Sequence, residues 1–199
     1  MRGSTFVSRR GEETHELLTS RHVLFSCEGR AEQVIITKLI ESGRTIVPDN
    51  RVVRDMDGNP CTRLRKAKDL QREYLEVDYP DGLLIARIVD VNPGRLKFSG
   101  PYRLRDIKTL DFITRPEIER LVLVKEGQLG AFEGRRGKDR QLNASDWCIQ
   151  KLGLTAVKSK EFLEEYWQDA FELERCIRKA HASLGGRAGT ELGLMDLLA

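Results

Sequence analysis

The sequence predicts an α/β protein with a mostly parallel sheet flanked by helices, followed by a helical C-terminal part. Two apolar runs, HVLFSC at residues 22–27 and LLIARIVDV at residues 83–91, are typical of buried parallel strands. Helical patterns lie between and after these runs, and strand–helix alternation of this kind favours a parallel sheet. In the last third of the chain, apolar residues recur at helical spacing.

These patterns divide the chain into three predicted regions. Residues 1–20 are polar and charged and predict an N-terminal arm or lead-in helix. Residues 21–142 contain the predicted strands and form the α/β domain. Residues 143–199 form a helical extension, in which one long helix is expected to begin at Ser159 or Lys160.

Shorter signals complete the predicted α/β domain. Residues 31–41 have the spacing of an amphipathic helix, and residues 62–77 predict a second, charged helix. A short strand or hairpin is expected within residues 45–54, and another strand at residues 107–113. The Gly-rich, basic segment 127–140 is expected to be a mobile loop.

Composition narrows the class of protein further. The 199 residues are 40% hydrophobic and 33% charged, with a net charge of +3, which is typical of a soluble globular protein. No apolar run approaches the ~20 residues that cross a bilayer, and the N-terminus lacks a signal-peptide pattern, so we expect no membrane contact and a cytoplasmic protein.

The cysteines form no CxxC pair, so free, buried thiols are expected rather than a zinc site: Cys27, Cys61, Cys148 and Cys176.

Two acidic residues stand where predicted strands end. Glu28 follows the first strand directly, and Asp90 ends the strand at residues 83–91. Ligands of open α/β sheets bind beyond the carboxyl ends of the strands, so both carboxylates are expected in one crevice. Their mutual repulsion and their oxygen donors favour Mg²⁺ or Mn²⁺. Gly29 permits a sharp turn behind Glu28, and Glu32 lies one helical turn further on, near the helix N-terminus. The alternative is that Glu28 only caps a helix and Asp90 belongs to a turn.

The segment HVLFSCEGRAEQVIITKLI resembles the first motif of Toprim domains, in which a strand ends in Glu-Gly before a helix. Its Glu28-Gly29-Arg30-Ala31-Glu32 is similar to the form found in overcoming-lysogenisation-defect nucleases and in small anti-phage Toprim proteins. LLIARIVDVN resembles the second motif, an apolar strand ending in Asp-x-Asp. DFITRPEIERLVLV is similar to the segment that follows it. The resemblance covers residues 22–125.

The resemblance implies a Mg²⁺-dependent nuclease acting on DNA or RNA phosphodiesters, in phage defence and with an ATPase partner protein. It assigns acid–base chemistry or metal binding to Glu28, metal binding to Asp90, and a further acid to Glu117 rather than Glu119. Asn92 stands where the motif has its second Asp, and its amide oxygen can coordinate a metal without adding charge. The chain has no GxxxxGK[ST] loop of its own for ATP.

Basic residues are candidates for contact with substrate phosphates, because cations must offset the phosphate charge. The candidates are Arg87, Arg95, Lys97, Arg135 and Arg136. For each of them the alternative is a solvated surface charge.

Two other functional classes remain open. Asn92 favours a catalytically weak or inactive Toprim module that binds nucleic acid or acts as a sensor. The apolar stripe of residues 162–177 and the LGLMDLL tail favour an interaction subunit whose C-terminal helices dock on a partner.

Overall fold

A computed structural model of the chain describes residues 9–91, 94–114, 118–139, 141–184 and 191–199. Its centre is a four-stranded sheet in the order β2-β1-β3-β4, in which every neighbouring pair is parallel. The strands are β1 (His22–Cys27), β2 (Cys61–Thr62), β3 (Leu83–Val89) and β4 (Ile107–Ile113). The predicted α/β class with a parallel sheet is confirmed.

Helices flank this sheet and make up the C-terminal part. The α-helices are α1 (Arg9–Ser20), α2 (Arg30–Glu41), α3 (Ala67–Tyr74), α4 (Arg120–Lys125), α5 (Leu129–Arg136), α6 (Ala144–Leu152), α7 (Lys160–Tyr166) and α8 (Ala170–Leu184). Short 3₁₀ helices occupy Asp49–Arg51, Gly100–Leu104 and Leu194–Leu197. Within the described ranges, none of the helices has the length and apolar character needed to cross a membrane.

The two faces of the sheet are covered by different parts of the chain. One face packs against α2 and the C-terminal helices in a single cluster that joins sheet residues such as Phe25 to Trp167 and Ile177. The other face packs against α3, through residues such as Leu70, in a smaller cluster. All seven residues of β3 are buried, as expected for a central parallel strand covered on both sides.

Three local predictions were wrong, and the first two have an identified physical cause. Segment 127–140, expected to be a mobile loop, contains α5, because buried Phe132 packs edge-to-face on Trp147 and anchors a helix there. The long C-terminal helix is interrupted between α7 and α8, where the Asp169 carboxylate accepts the backbone N–H of Phe171 at 2.8 Å. Segment 45–54 contributes only isolated bridges and a 3₁₀ turn.

The burial of the cysteines and the beginning of α7 at Lys160 agree with the predictions from the sequence. All four cysteines are buried, and none of them forms a disulfide. Asn143 caps α6 by accepting the Asp146 backbone N–H at 2.8 Å, and Ser159 caps α7.

A buried ion pair joins β3 to β4. Arg87 and Asp111 are opposite each other in the register, and Arg87 donates from Nε at 2.6 Å and from Nη2 at 2.7 Å to the two carboxylate oxygens. The Arg87 side chain is 6% exposed and that of Asp111 is 21% exposed. A bidentate pair of this kind compensates a charge that would otherwise be costly to bury.

We therefore expect Asp111→Ala to destabilise the protein by about 3 kcal/mol, because it leaves the Arg87 charge buried without its partner. The double variant Arg87→Met/Asp111→Leu should unfold at nearly the wild-type urea concentration, because neither charge then needs compensation. Urea unfolding at pH 7 measures both. A loss below about 1 kcal/mol for Asp111→Ala would show that the pair is effectively solvated.

Candidate functional site

The register of the sheet brings the two predicted acids together. Cys27, the last residue of β1, is paired with Ile88 of β3, so Glu28 and Asp90 leave the same edge of the sheet. The Glu28 backbone N–H donates to the Ile88 carbonyl oxygen at 2.9 Å, continuing the ladder by one step. The Asp90 backbone N–H donates to Glu28 Oε2 at 2.9 Å. The carboxylate of Glu28 thus lies directly against the Asp90 backbone. We call the edge of the sheet that carries Glu28 and Asp90 the acidic edge.

Thr114 is the third residue at this edge of the sheet. It follows β4, and its backbone N–H donates to the Val89 carbonyl oxygen at 2.9 Å. Its hydroxyl donates to Asp90 Oδ1 at 2.7 Å, and the Thr114 residue is buried at 4% exposure. Thr114 therefore orients the Asp90 carboxylate. Sequence reasoning missed it, although it occupies the same place after its strand as Glu28 and Asp90 do after theirs.

Arg65 contacts the other oxygen of Glu28. Its Nη1 lies 2.8 Å from Glu28 Oε1, in a pair whose side chains are 54% and 32% exposed. The preceding segment is held by Ser26, whose hydroxyl donates to the Leu64 carbonyl oxygen at 2.7 Å. The sequence analysis did not assign Arg65 to the site. The structure gives it the position of a counter-charge to Glu28.

Glu32 is a buried acid beside this pair. It is only 7% exposed and lies in the first turn of α2. A Cβ on Gly29 would come within 2.6 Å of Glu32 Oε2, so the glycine leaves room for this carboxyl group. Burial raises the pKa of Glu32, and the charges of Asp90 and Glu119 raise it further, while backbone N–H donors at residues 32 and 29 partly offset the shift. The negative charges of Asp90 and Glu119 therefore favour the protonated form of Glu32.

Glu119 joins the site from the start of α4. It is 6% exposed, and Lys158 Nζ lies 3.2 Å from its Oε1. The sequence favoured Glu117 over Glu119 as the further acid. Glu117 and Asn92 lie outside the described residues, whereas the charge of Glu119 contributes to the raised pKa of Glu32.

The predicted phosphate-binding residues occupy separate places. Arg87, paired with Asp111, lines a cavity of about 540 Å³ together with Arg95. Lys97 is exposed further along the same segment. The other two candidates, Arg135 and Arg136, are exposed in the last turn of α5. No hydrogen bond or ion pair described for these side chains joins them to the acidic edge.

The donor atoms of the acidic edge suit a hard divalent cation in kind, because they are carboxylate oxygens. In the part of the chain that the structure describes, no group of three or more His, Cys, Asp or Glu side chains is arranged to hold a metal ion. Mg²⁺ is nonetheless often held by only one or two protein carboxylates together with water and substrate phosphates. Glu28 and Asp90 fit that smaller requirement, provided that the cation displaces Arg65 from Glu28.

Fold and site together define an α/β protein with an acidic site at the carboxyl edge of a parallel sheet. No protein-family model, curated protein or solved structure matches the chain. The site must therefore be interpreted from its own geometry.

The raised pKa of Glu32 predicts how stability changes with pH. A carboxyl group whose pKa is higher in the folded state favours folding while it is protonated, and that contribution is lost as pH rises from about 4.5 through the raised folded value. Glu32→Gln should remain neutral throughout, so its stability relative to wild type should be greater at pH 8 than at pH 4. Urea unfolding at the two pH values measures this difference. Glu41→Gln, at the exposed end of the same helix, serves as the control, and an equal difference at both pH values for Glu32→Gln would contradict the prediction.

Proposed function

We propose that this chain is a Mg²⁺- or Mn²⁺-dependent nuclease of the Toprim type that cleaves phosphodiester bonds in DNA or RNA. The observation that carries the proposal is the contact between the Glu28 carboxylate and the Asp90 backbone at the carboxyl edge of the sheet. That edge is where open α/β sheets bind their ligands. The resemblance of the segments around Glu28 and Asp90 to the two Toprim motifs supports the same chemistry.

Each residue of the edge then has a stated role. Glu28 would act in acid–base chemistry or bind the metal, and Asp90 would bind the metal while Thr114 holds its orientation. Asn92, Glu32 and Glu117 are the further candidates for coordination. When bound, the cation would offset negative charge on the phosphate and polarise its oxygens. When no cation is bound, the Arg65 guanidinium offsets the charge of the Glu28 carboxylate.

The predicted cationic side chains would bind the flanking phosphates. Arg95 is exposed at the cavity that the Arg87–Asp111 pair lines, so Arg95 is the better placed of the two to contact a phosphate. Arg87 would act by shaping that cavity. Lys97, Arg135 and Arg136 are accessible for contacts further along a polynucleotide.

The resemblance also supports a cellular setting for the proposal. It favours a cytoplasmic protein of bacterial phage defence, working with a separate ATPase partner.

A second candidate function is a nucleic-acid-binding or sensor module that does not cleave. The Arg65–Glu28 ion pair favours it, because a side chain of this protein already compensates the first-motif carboxylate. Asn92, in place of the second acid of Asp-x-Asp, points in the same direction. Metal binding and cleavage separate the two candidates.

Glu28→Gln and Asp90→Asn should each weaken Mg²⁺ binding by at least about 10-fold, because each removes one of two charged oxygen ligands. Calorimetric titration measures the affinity, and cleavage of labelled DNA and RNA in Mg²⁺ or Mn²⁺ measures activity, with and without a candidate ATPase. Glu41→Gln is the matched control on α2. Wild-type affinity in both site variants would contradict a shared site, and metal binding without cleavage would favour the second candidate.

Arg65→Gln tests whether the Arg65 guanidinium competes with Mg²⁺ for the Glu28 carboxylate. An exposed ion pair is worth about 0.2–1 kcal/mol, so removing the guanidinium should tighten Mg²⁺ binding by roughly 1.5- to 5-fold. Arg63→Gln, two residues earlier and exposed, is the control for loss of a nearby positive charge. If both variants change the Mg²⁺ affinity equally, or if Arg65→Gln does not tighten binding, Arg65 does not compete with a cation for Glu28.

A further inference from the structure

A charged surface runs along the solvent-facing side of α8. The helix buries Leu173, Cys176 and Ile177 in the core. Its opposite side carries residues at helical spacing, and a side chain from the segment after α2 lies next to them. We call this surface the α8 strip, and it consists of Arg44, Phe171, Glu174, Arg175, Arg178 and Lys179. These residues line a shallow cavity of about 380 Å³.

The aromatic residue of the strip is exposed and is held against a cation. Phe171 is 65% exposed, which is unusual for a large apolar side chain. The Arg44 guanidinium carbon lies 3.5 Å from the centroid of its ring. Arg44 Nε is buried and has no hydrogen-bond partner. The ring is therefore positioned by a stacked guanidinium while most of the side chain remains open to solvent.

The charges of the strip are organised around one carboxylate. Glu174 contacts Arg44 at 3.4 Å and Arg178 at 2.8 Å, so it orients two guanidinium groups. Arg175 contacts Glu172 at 3.2 Å at the margin of the strip and is 63% exposed. Lys179 is exposed one turn further along α8. Four cations and one carboxylate leave the strip positive, which favours an anionic partner.

We propose that the α8 strip binds single-stranded nucleic acid, with a base stacked on Phe171 and phosphates contacted by Arg175 and Lys179. Arg178 is instead engaged within the protein, because its Nε donates to Glu174 and its Nη2 donates to the Ala199 carbonyl oxygen, each at 2.8 Å. Sites for single strands combine a cationic groove with aromatic rings on which bases stack. A duplex offers no free base face to an exposed ring. A membrane surface requires a free apolar helix face, and the apolar face of α8 is buried in the core.

The strip is separate from the acidic edge. Ala180 and His181, on another side of α8, line a different cavity that contains Thr114, the residue bonded to Asp90. Binding at the strip requires no metal. The inference therefore stands independently of the proposed cleavage and would add a second contact to the same class of substrate.

The test measures binding of a labelled single-stranded oligonucleotide in EDTA across a range of salt concentrations. Arg175→Glu/Lys179→Glu should bind at least 10-fold more weakly, and its salt slope should fall by about 1.4, because two phosphate contacts are lost. Phe171→Ala should bind on the order of 10-fold more weakly through lost stacking. Phe171→Trp should retain binding, and its fluorescence should be quenched by the oligonucleotide, since the natural Trp147 and Trp167 are buried.

Arg103→Glu/Lys151→Glu changes the net charge equally at exposed positions elsewhere and should bind as wild type. EDTA removes divalent cations, so binding that persists in EDTA separates this proposal from the metal site. If charge reversal unfolds the protein, as circular dichroism would show, Arg175→Gln/Lys179→Gln replaces it. Equal losses in the strip and control variants would overturn the proposal. Stronger strip-dependent binding to a duplex, to anionic vesicles or to an acidic peptide would overturn it too.

Discussion

The parallel pairing of β1 with β3 is the constraint on which the rest of the site depends. Their register sets Cys27 opposite Ile88, so the residues that follow the two strands emerge together. At the point where the ladder ends, the Asp90 N–H is bonded to the Glu28 carboxylate. A side chain thus takes over the role that a strand carbonyl would otherwise play, and satisfies a backbone donor. Without this register, neither acid would have the other as a neighbour.

Several features compensate the negative charge gathered at that edge. Arg65 offsets Glu28 from the segment after β2, and Lys158 offsets Glu119 from the segment before α7. The Thr114 hydroxyl donates to Asp90, and burial favours the protonated form of Glu32. The protein therefore stabilises clustered acids with its own cations, donors and protons. Repulsion between clustered carboxylates can be offset either by a divalent cation or by the protein's own cations and hydrogen-bond donors.

The basic residues of the chain fall into distinct groups once the fold is known. Arg87 is tied to Asp111 inside the sheet, where it holds β3 to β4. Others are exposed on α5 and on the α8 strip. Counting cations along the sequence does not distinguish a structural guanidinium from one available to a phosphate. The distinction follows from whether a carboxylate on the neighbouring strand lies opposite the arginine in the register.

The sequence by itself determined the α/β class, three of the four strands, and the positions of Glu28 and Asp90 where two strands end, because these depend on local apolar runs and on the residues that follow them. It did not reveal β2, which is only two residues long. It did not reveal α5 either, because the glycines of that segment indicate a loop more strongly than the single Phe132 indicates a helix. Thr114, Arg65 and Glu119 entered the site only through tertiary structure. Thr114 is placed there by the pairing of β4 with β3, and Arg65 by a contact with a residue 37 positions away in the sequence. Glu119 is included because its charge raises the pKa of Glu32 in α2. Local patterns decide where strands and turns form, whereas the neighbours of a charge depend on how separate segments are brought together in space.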